Sequence, residues 1–265
     1  MIWTREAEEA VLKAPFFVRR RVRLEVEKEA ARQGSGKVLL RHVSDCKQGF
    51  LSGKAVQSKG FQIESCFGES GCKNRANGSE ELARGLEKLL IGRDIAGFLK
   101  EKTNGELKIH HEFRICFSDC PNACSHPQIA DIGIIGAVRP RVVDARCTGC
   151  SLCFSACNEG AILAVPGSPA PAIDAGRCVQ CGKCIDSCPA GAIEEAQRGW
   201  RILAGGKLGR HPQLGIELEG IYSEEDAREI VRRCLDIYFA HNTGGERLGA
   251  ILNRIGIDRV KMRKE

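Results

Sequence analysis

Apolar residues recur every four positions after Pro15, at Val18, Val22, Val26 and Ala30, with arginines and glutamates between them. One apolar stripe on an otherwise charged segment predicts an amphipathic helix with a single buried edge. Gly34-Ser35-Gly36 ends it, and Thr4 is placed to cap a shorter helix before Pro15. Residues 1 to about 45 therefore read as helical. Near the other end, Ala227, Ile230, Val231, Cys234, Leu235 and Tyr238 share one face of a long helix. Ser223-Glu224-Glu225-Asp226 carries the pattern of a capping box that would open it. Before that helix, Gly199-Trp200-Arg201-Ile202-Leu203 reads as a strand running into the loop Gly205-Gly206-Lys207-Leu208-Gly209-Arg210. The longest apolar stretch, from about Ile129 to Val138, contains Asp131 and is too short to span a bilayer.

Cysteine changes this picture more than any other residue. Among 265 residues, 43% hydrophobic and 28% charged, there are 15 cysteines. The charged start, Met1-Ile2-Trp3-Thr4-Arg5-Glu6, lacks the apolar core of a secretory signal, so a cytoplasmic chain with reduced thiols is expected. Cysteine richness then points to metal ligation. Cys147, Cys150, Cys153 and Cys157 form one C-x2-C-x2-C-x3-C run, and Cys178, Cys181, Cys184 and Cys188 form a second, followed by Pro189. That is the bacterial ferredoxin spacing for four-iron clusters, in which the fourth cysteine of each run serves the other cluster. The runs are an internal duplication of period 31, and Gly160-Ala161-Ile162 maps onto Gly191-Ala192-Ile193. Between them, residues 166 to 171 read as a proline-rich surface loop. The formal charge of +6 falls to about zero once three clusters with their thiolates, each about −2, are counted. A nucleic-acid partner is therefore not expected, and the run Arg19-Arg20-Arg21 reads as solvated helix surface, with a docking patch as the alternative.

A third set is split: Cys66-x5-Cys72, then Cys120-x3-Cys124 after roughly fifty residues. Its first spacing is not that of a zinc knuckle, and its surroundings say more. Cys120-Pro121-Asn122-Ala123-Cys124-Ser125-His126-Pro127, followed by Asp131-Ile132-Gly133-Ile134-Ile135-Gly136, closely resembles the sirohaem sulfite and nitrite reductase family. Cys66-Phe67-Gly68-Glu69-Ser70-Gly71-Cys72 is similar to that family's upstream pair. Gly205-Gly206-Lys207-x-Gly209-Arg210-His211-Pro212 is similar to its later glycine-rich loop. The resemblance covers about 60 to 138 and 199 to 257, and the ferredoxin insertion looks like the dissimilatory and anaerobic branch. The start of the chain resembles the small helical domain of a light-independent protochlorophyllide reductase subunit, through Trp3-Thr4, Ala7-Glu8, Pro15-Phe16-Phe17-Val18-Arg19 and Val22-Arg23.

The resemblance implies an α+β or α/β fold: a sulfite reductase-like half-domain with a mixed sheet, from residues 49–141 plus 199–265. A two-cluster ferredoxin domain, 142–198, would be inserted in it, and a small helical domain, 1–48, would precede it. It implies that Cys66, Cys72, Cys120 and Cys124 hold a third four-iron cluster, and that Cys124 is the thiolate shared with a sirohaem, the cysteine of catalysis. Arg75, Arg114, His126, Lys207 and Arg210 are the basic residues beside these motifs, expected to contact haem carboxylates or an anionic substrate, with an ordinary salt bridge as the alternative for each. The function implied is electron flow from a redox-protein donor through two ferredoxin clusters to a third, coupled to a sirohaem that reduces sulfite or nitrite. Full-length reductases of this type have two related halves, whereas only about sixty residues precede Cys66 here. A second copy or another subunit is then expected to complete the pocket. Two alternatives stay open: an electron-transfer protein without sirohaem, and a non-catalytic sirohaem carrier. Cys116 reads as packing or a substitute ligand, Cys234 as core, and Cys46 has no assigned role. His110 and His111, adjacent before a strand, do not suit a two-histidine metal site.

Overall fold

The computed structural model describes residues 1–14, 19–51, 58–103, 107 and 109–261. Pro15 and Val18 lie outside the described residues. The chain divides into two units, 1–58 and 59–265.

The first unit is built from β1 (Ile2–Trp3), α1 (Arg5–Leu12), α2 (Arg19–Arg32), β2 (Lys37–Val38) and α3 (Leu40–Leu51), with β1 and β2 pairing in parallel. Val26 and Ala30 of the predicted stripe meet Ala7 and Val38 in a small, fully buried core. Val22 packs against that core, and most of the rest of α2 is charged, as a helix with one buried edge should be. Thr4 occupies the N-cap position of α1 with extended backbone, but its hydroxyl makes no capping bond. The cap at the other end comes from Arg19, whose guanidinium donates to the carbonyls of Leu12 and Ala14 at 2.9 and 2.7 Å. Cys46 is half-buried against this core, and burial pushes its thiol up.

The second unit follows as β3 (Phe61–Ser65), α4 (Glu80–Gly92), α5 (Ile95–Thr103), β4 (Phe113–Ser118), β5 (Ile132–Val142), α6 (Leu152–Ala156), β6 (Ile162–Leu163), β7 (Ala172–Ile173), α7 (Lys183–Asp186), β8 (Ile193–Ala204), β9 (Ile216–Glu217), α8 (Glu224–His241) and α9 (Leu248–Ile255). Five of its strands form a mixed sheet in the order β3-β4-β5-β8-β9; the first three run parallel, and β8 and β9 run antiparallel to their neighbours. Alternation makes the core: Phe113, Ile115 and Phe117 of β4 and Ile132 and Ile134 of β5 turn one way. They pack on Leu82, Leu86 and Leu90, spaced one turn apart on α4, and on α8. The buried face of α8 consists of Ala227, Ile230, Val231, Cys234, Leu235 and Tyr238, the stripe read from the sequence. Its capping box is present too: the Ser223 hydroxyl accepts from the Asp226 amide at 3.1 Å, and the Asp226 carboxylate accepts from the Ser223 amide. The strand read at 199–203 is longer, because β8 begins at Ile193.

β5 and β8 pair over eleven positions, from Ile132↔Ala204 to Val142↔Ile193. The register shifts once, between Arg139 and Pro140, where Ala196 is the extra residue. Proline has no amide to donate, and a bulge is where a sheet tolerates one. Everything from 143 to 192 leaves and re-enters the sheet at the end of this ribbon. In that segment β6 pairs with β7, and the repeat is visible in the backbone. Left-handed residues recur at period 31, as Gly149 and Gln180, Ser151 and Gly182, Gly160 and Gly191.

Asp131, completely buried, joins three elements just ahead of β5. Its carboxylate accepts from the Arg114 amide of β4 at 2.8 Å, from the Leu248 amide that opens α9 at 3.2 Å, and from the Arg247 guanidinium at 3.0 Å. Removing one partner of such a pair strands a buried charge, at a cost of about 3–5 kcal/mol. Asp131→Ala should therefore lower the thermal unfolding midpoint of the second unit strongly, and Asp131→Asn by less. An unchanged midpoint for Asp131→Ala would contradict this assignment.

Candidate metal centres

The split cysteines are brought together by strand direction. Cys66 directly follows β3 and Cys120 lies two residues past β4, and these strands are parallel neighbours, so both loops leave the same edge of the sheet. The carboxyl ends of parallel strands are where such sheets bind ligands. The ladder continues into the loops: the Cys66 amide donates to the Phe117 carbonyl at 3.0 Å. Asp119 then ties the loops together. Its amide donates to Cys66 Sγ at 3.3 Å, and its carbonyl accepts from the amides of Ala76 and Asn77 at 2.8 and 3.0 Å. Its buried carboxylate pairs with Arg75 Nε at 3.0 Å. Gly136 of β5 must be glycine here, since a Cβ would stand 2.5 Å from the Asp119 carbonyl oxygen.

Cys120 is buried, while Cys72 and Cys124 are exposed and Cys66 is half-buried. Burial raises the Cys120 thiol most; the Asn122 amide opposes this, and Cys72, Cys124 and Cys66 add repulsion. Four thiols thus share one electrostatic field. Cys116 lies beside them: its Sγ donates to the Ser125 carbonyl at 2.8 Å, and burial pushes the thiol up to about 12, with Cys66 adding repulsion. His110 and His111 lie in a single 3-10 turn with ring centroids 4.2 Å apart, and not on β4.

The basic residues divide. Arg75 is engaged by two carboxylates, Asp119 and Glu80, and acts as a clamp between the split-site loop and α4. Arg114 is half-buried, with Nε buried and without a hydrogen-bond partner. His126 is exposed two residues beyond Cys124, with left-handed backbone at φ 58°. Lys207 is half-buried and Arg210 exposed, in the loop after β8. The base of that loop rests on the 127–130 turn, where a Cβ on Gly206 would meet the Gln128 carbonyl oxygen at 2.3 Å. Asp119 was missed by sequence reasoning. Lying beside a ligand cysteine was its only signal.

The two runs cross over. Cys147, Cys150, Cys153 and Cys188 line one cavity, with Pro169 and Pro171 on its rim. Cys157 falls with the second run: burial first, then the charges of Cys178, Cys181 and Cys157, push the Cys184 thiol up to about 12. The remote cysteines receive equivalent amide bonds, Ala161 to Cys157 Sγ at 3.3 Å and Ala192 to Cys188 Sγ at 3.2 Å. At Cys188, burial opposes ionisation, but the amides of Ile193, Ala192, Ala190 and Gly191 outweigh it and hold the thiol below its usual range. Among the described residues no three Cys, His, Asp or Glu side chains converge as the ligands of a single ion do. A four-iron cluster takes each thiolate on a different iron, and its positive charge offsets the burial that lifts Cys120, Cys153, Cys178 and Cys184. The donor sets fit such clusters.

Residues 61–263 match the family described as nitrite and sulphite reductase 4Fe-4S domain. This chain belongs to that family. Residues 3–47 match a second family, the proto-chlorophyllide reductase 57 kD subunit. The coenzyme F420-dependent sulfite reductase of Methanocaldococcus jannaschii is 34% identical over 209 residues, covering 76% of this chain and 31% of that protein. One subunit of the anaerobic sulfite reductase of Salmonella typhimurium is 29% identical over 120 residues, 45% of this chain and 29% of the relative. The matches thus span less than a third of these two relatives. The solved structure of dissimilatory sulfite reductase I is similar at 19% identity and a TM-score of 0.48, over 75% of this chain and 50% of that one. Among the described residues no helix is long and apolar enough to cross a membrane.

The two readings of Cys116 separate on iron. Protein purified anaerobically should keep its full iron content in Cys116→Ala and lose iron in Cys120→Ala. Iron loss in Cys116→Ala, with the fold intact by circular dichroism, would make it a ligand.

Proposed function

We propose that this chain is an iron–sulfur oxidoreductase subunit of the sirohaem sulfite reductase type. In this reading it carries three [4Fe-4S] sites: Cys66, Cys72, Cys120 and Cys124; Cys147, Cys150, Cys153 and Cys188; and Cys157, Cys178, Cys181 and Cys184. The small helical domain of 1–48, the reductase half-domain of 49–141 plus 199–265 and the inserted ferredoxin domain of 142–198 are its parts. The observation that carries the reading is the delivery of Cys66, Cys72, Cys120 and Cys124 to one place by the parallel strands β3 and β4. Beside it the crossed sets complete a two-site unit at the end of the β5–β8 ribbon.

When bound, the clusters supply one-electron transfer and a sirohaem supplies an open iron position for a small anion such as sulfite or nitrite. The chain's own residues fit that role in three ways. Cys124 is exposed, so its sulfur is open to a second metal beyond the cluster it would share with Cys120. Arg114 Nε is a buried donor without a partner, suited to a carboxylate of the kind a sirohaem carries. Lys207, Arg210 and His126 add positive charge on the neighbouring loops, which favours an anionic substrate and promotes loss of its oxygen as water. The names of the two sulfite reductase relatives favour sulfite over nitrite. We place the chain in the cytoplasm with a redox-protein donor, and its pocket completed by a second copy or a further subunit. The engagement of Arg75 by two carboxylates leaves one cation fewer for the anion. That favours, as the second reading, an electron-transfer subunit on a reductase scaffold without sirohaem.

Anaerobic reconstitution with sirohaem separates the two. The sirohaem reading predicts a haem absorbance in the wild type, with spin coupling between haem and cluster that disappears in Cys124→Ser. No haem uptake, with all clusters intact and a partner subunit present, would leave the electron-transfer reading and no sulfite reduction.

A further inference from the structure

The three cysteine sets do not occupy equivalent places. The loop of the second run, Cys178 to Gly182, lies along β5. There the Val138 amide donates to the Gln180 carbonyl at 2.7 Å, and Val138 pairs with Cys181 in an isolated parallel bridge. A Cβ on Gly182 would stand 3.3 Å from Val138 Cβ. Arg201 of β8 adds a bond to the Val179 carbonyl, also at 3.3 Å. Val138 is itself buried with Ala76 and Cys120 of the split site, and Ile185 of α7 packs on that group. Ile185 also packs on the group that contains Cys184. One valine and one isoleucine therefore bridge the second-run loop to Cys120.

The duplication supplies an internal comparison. At period 31 the counterparts of Gln180 and Gly182 are Gly149 and Ser151, with the same left-handed backbone. Their loop faces Pro169 and Pro171, and Cys147 Sγ donates to the Pro169 carbonyl at 3.3 Å. Cys150 is exposed there, flanked by exposed Leu152 and Phe154.

We infer that the two ferredoxin-type sites are ordered. Cys157, Cys178, Cys181 and Cys184 hold the inner centre, coupled to the split site across Val138 and Ile185, and Cys147, Cys150, Cys153 and Cys188 hold the outer one. This rests on the three-cluster reading above, so iron and labile sulfide in the wild type are measured first; fewer than three clusters' worth counts against that reading and not against the order.

The order is tested by electron paramagnetic resonance of the dithionite-reduced full-length holoprotein. Spin–spin splitting of the split-site signal should survive in Cys150→Ala, which removes the outer centre, and be lost in Cys178→Ala, which removes the inner one. The reverse pattern, or the same result in both variants, overturns the order. If iron analysis shows that either variant has lost two centres, Ile185→Ala and Phe154→Ala decide, because neither residue is a ligand and they are counterparts at period 31. The splitting should weaken in Ile185→Ala and stay unchanged in Phe154→Ala. The reverse pattern, or the same splitting in both, overturns the proposal.

Discussion

The structure depends on the antiparallel ribbon of β5 and β8. A segment of fifty residues, 143–192, interrupts the chain between two strands of one sheet, yet Val142 and Ile193 are register partners, and the Val143 amide still reaches the Ala192 carbonyl at 2.7 Å. The two ends of the segment are thus held together before the segment itself contributes anything, so its loop-closure entropy is met by strand pairing. The segment buries few large side chains, Ile162 and Cys184 with Ile193 at its root beside the small Ala161, Ala170 and Ala192, so it cannot draw much stability from its own core. On the proposed reading the two clusters would supply the rest, since ligand binding that occurs only in the folded state adds to folding.

The split site is held by a different device. Asp119, past the carboxyl end of β4, presents its amide, its carbonyl and its carboxylate to Cys66, Ala76, Asn77 and Arg75, all in the segment that leaves the carboxyl end of the parallel strand β3. Magnitude separates this from the many ion pairs on the surface. Arg198 and Glu195, or Arg5 and Glu9, are solvated pairs of the kind that contribute about 0–1 kcal/mol. Asp119 with Arg75 and Asp131 with Arg247 are buried on the carboxylate side, where loss of one partner costs several times more. The sheet, and not the surface, therefore sets where the cysteines stand.

Local patterns in the chain carried a good part of this. The stripe Ala227 to Tyr238 and the Ser223–Asp226 box depend only on helical period and on side chains three residues apart, and both stand in the structure. The buried edge of α2 was legible for the same reason. The cysteine runs predict a crossed pairing because their spacing is that of ferredoxin clusters, and Cys188 does line a cavity with Cys147, Cys150 and Cys153. Other features have no local signature. Thr4 marks the start of α1 without a side-chain capping bond, and Arg19, from the next helix, serves the far end. The first six residues of β8 are visible only through their register with β5, and Val138 gains its place from a contact with Gln180 more than forty residues away. For Arg75 the sequence left an anion contact and an ordinary salt bridge both open, and its carboxylate partners, Asp119 and Glu80, come from separate elements that no local pattern names.

The central claim is that cysteines distant in the chain act as crossed sets of four on a frame built by β3, β4, β5 and β8. The most direct test is differential alkylation of Cys157→Ala under anaerobic, native conditions, read residue by residue by mass spectrometry alongside iron and sulfide analysis. The wild type should hold about twelve irons and as many labile sulfides. In the variant about four irons should be lost, and Cys178, Cys181 and Cys184 should become reactive although they lie in the other run, while Cys147, Cys150 and Cys153 stay protected. Reactivity appearing at Cys147, Cys150 and Cys153 instead, or a wild type that holds zinc without sulfide, would contradict the account.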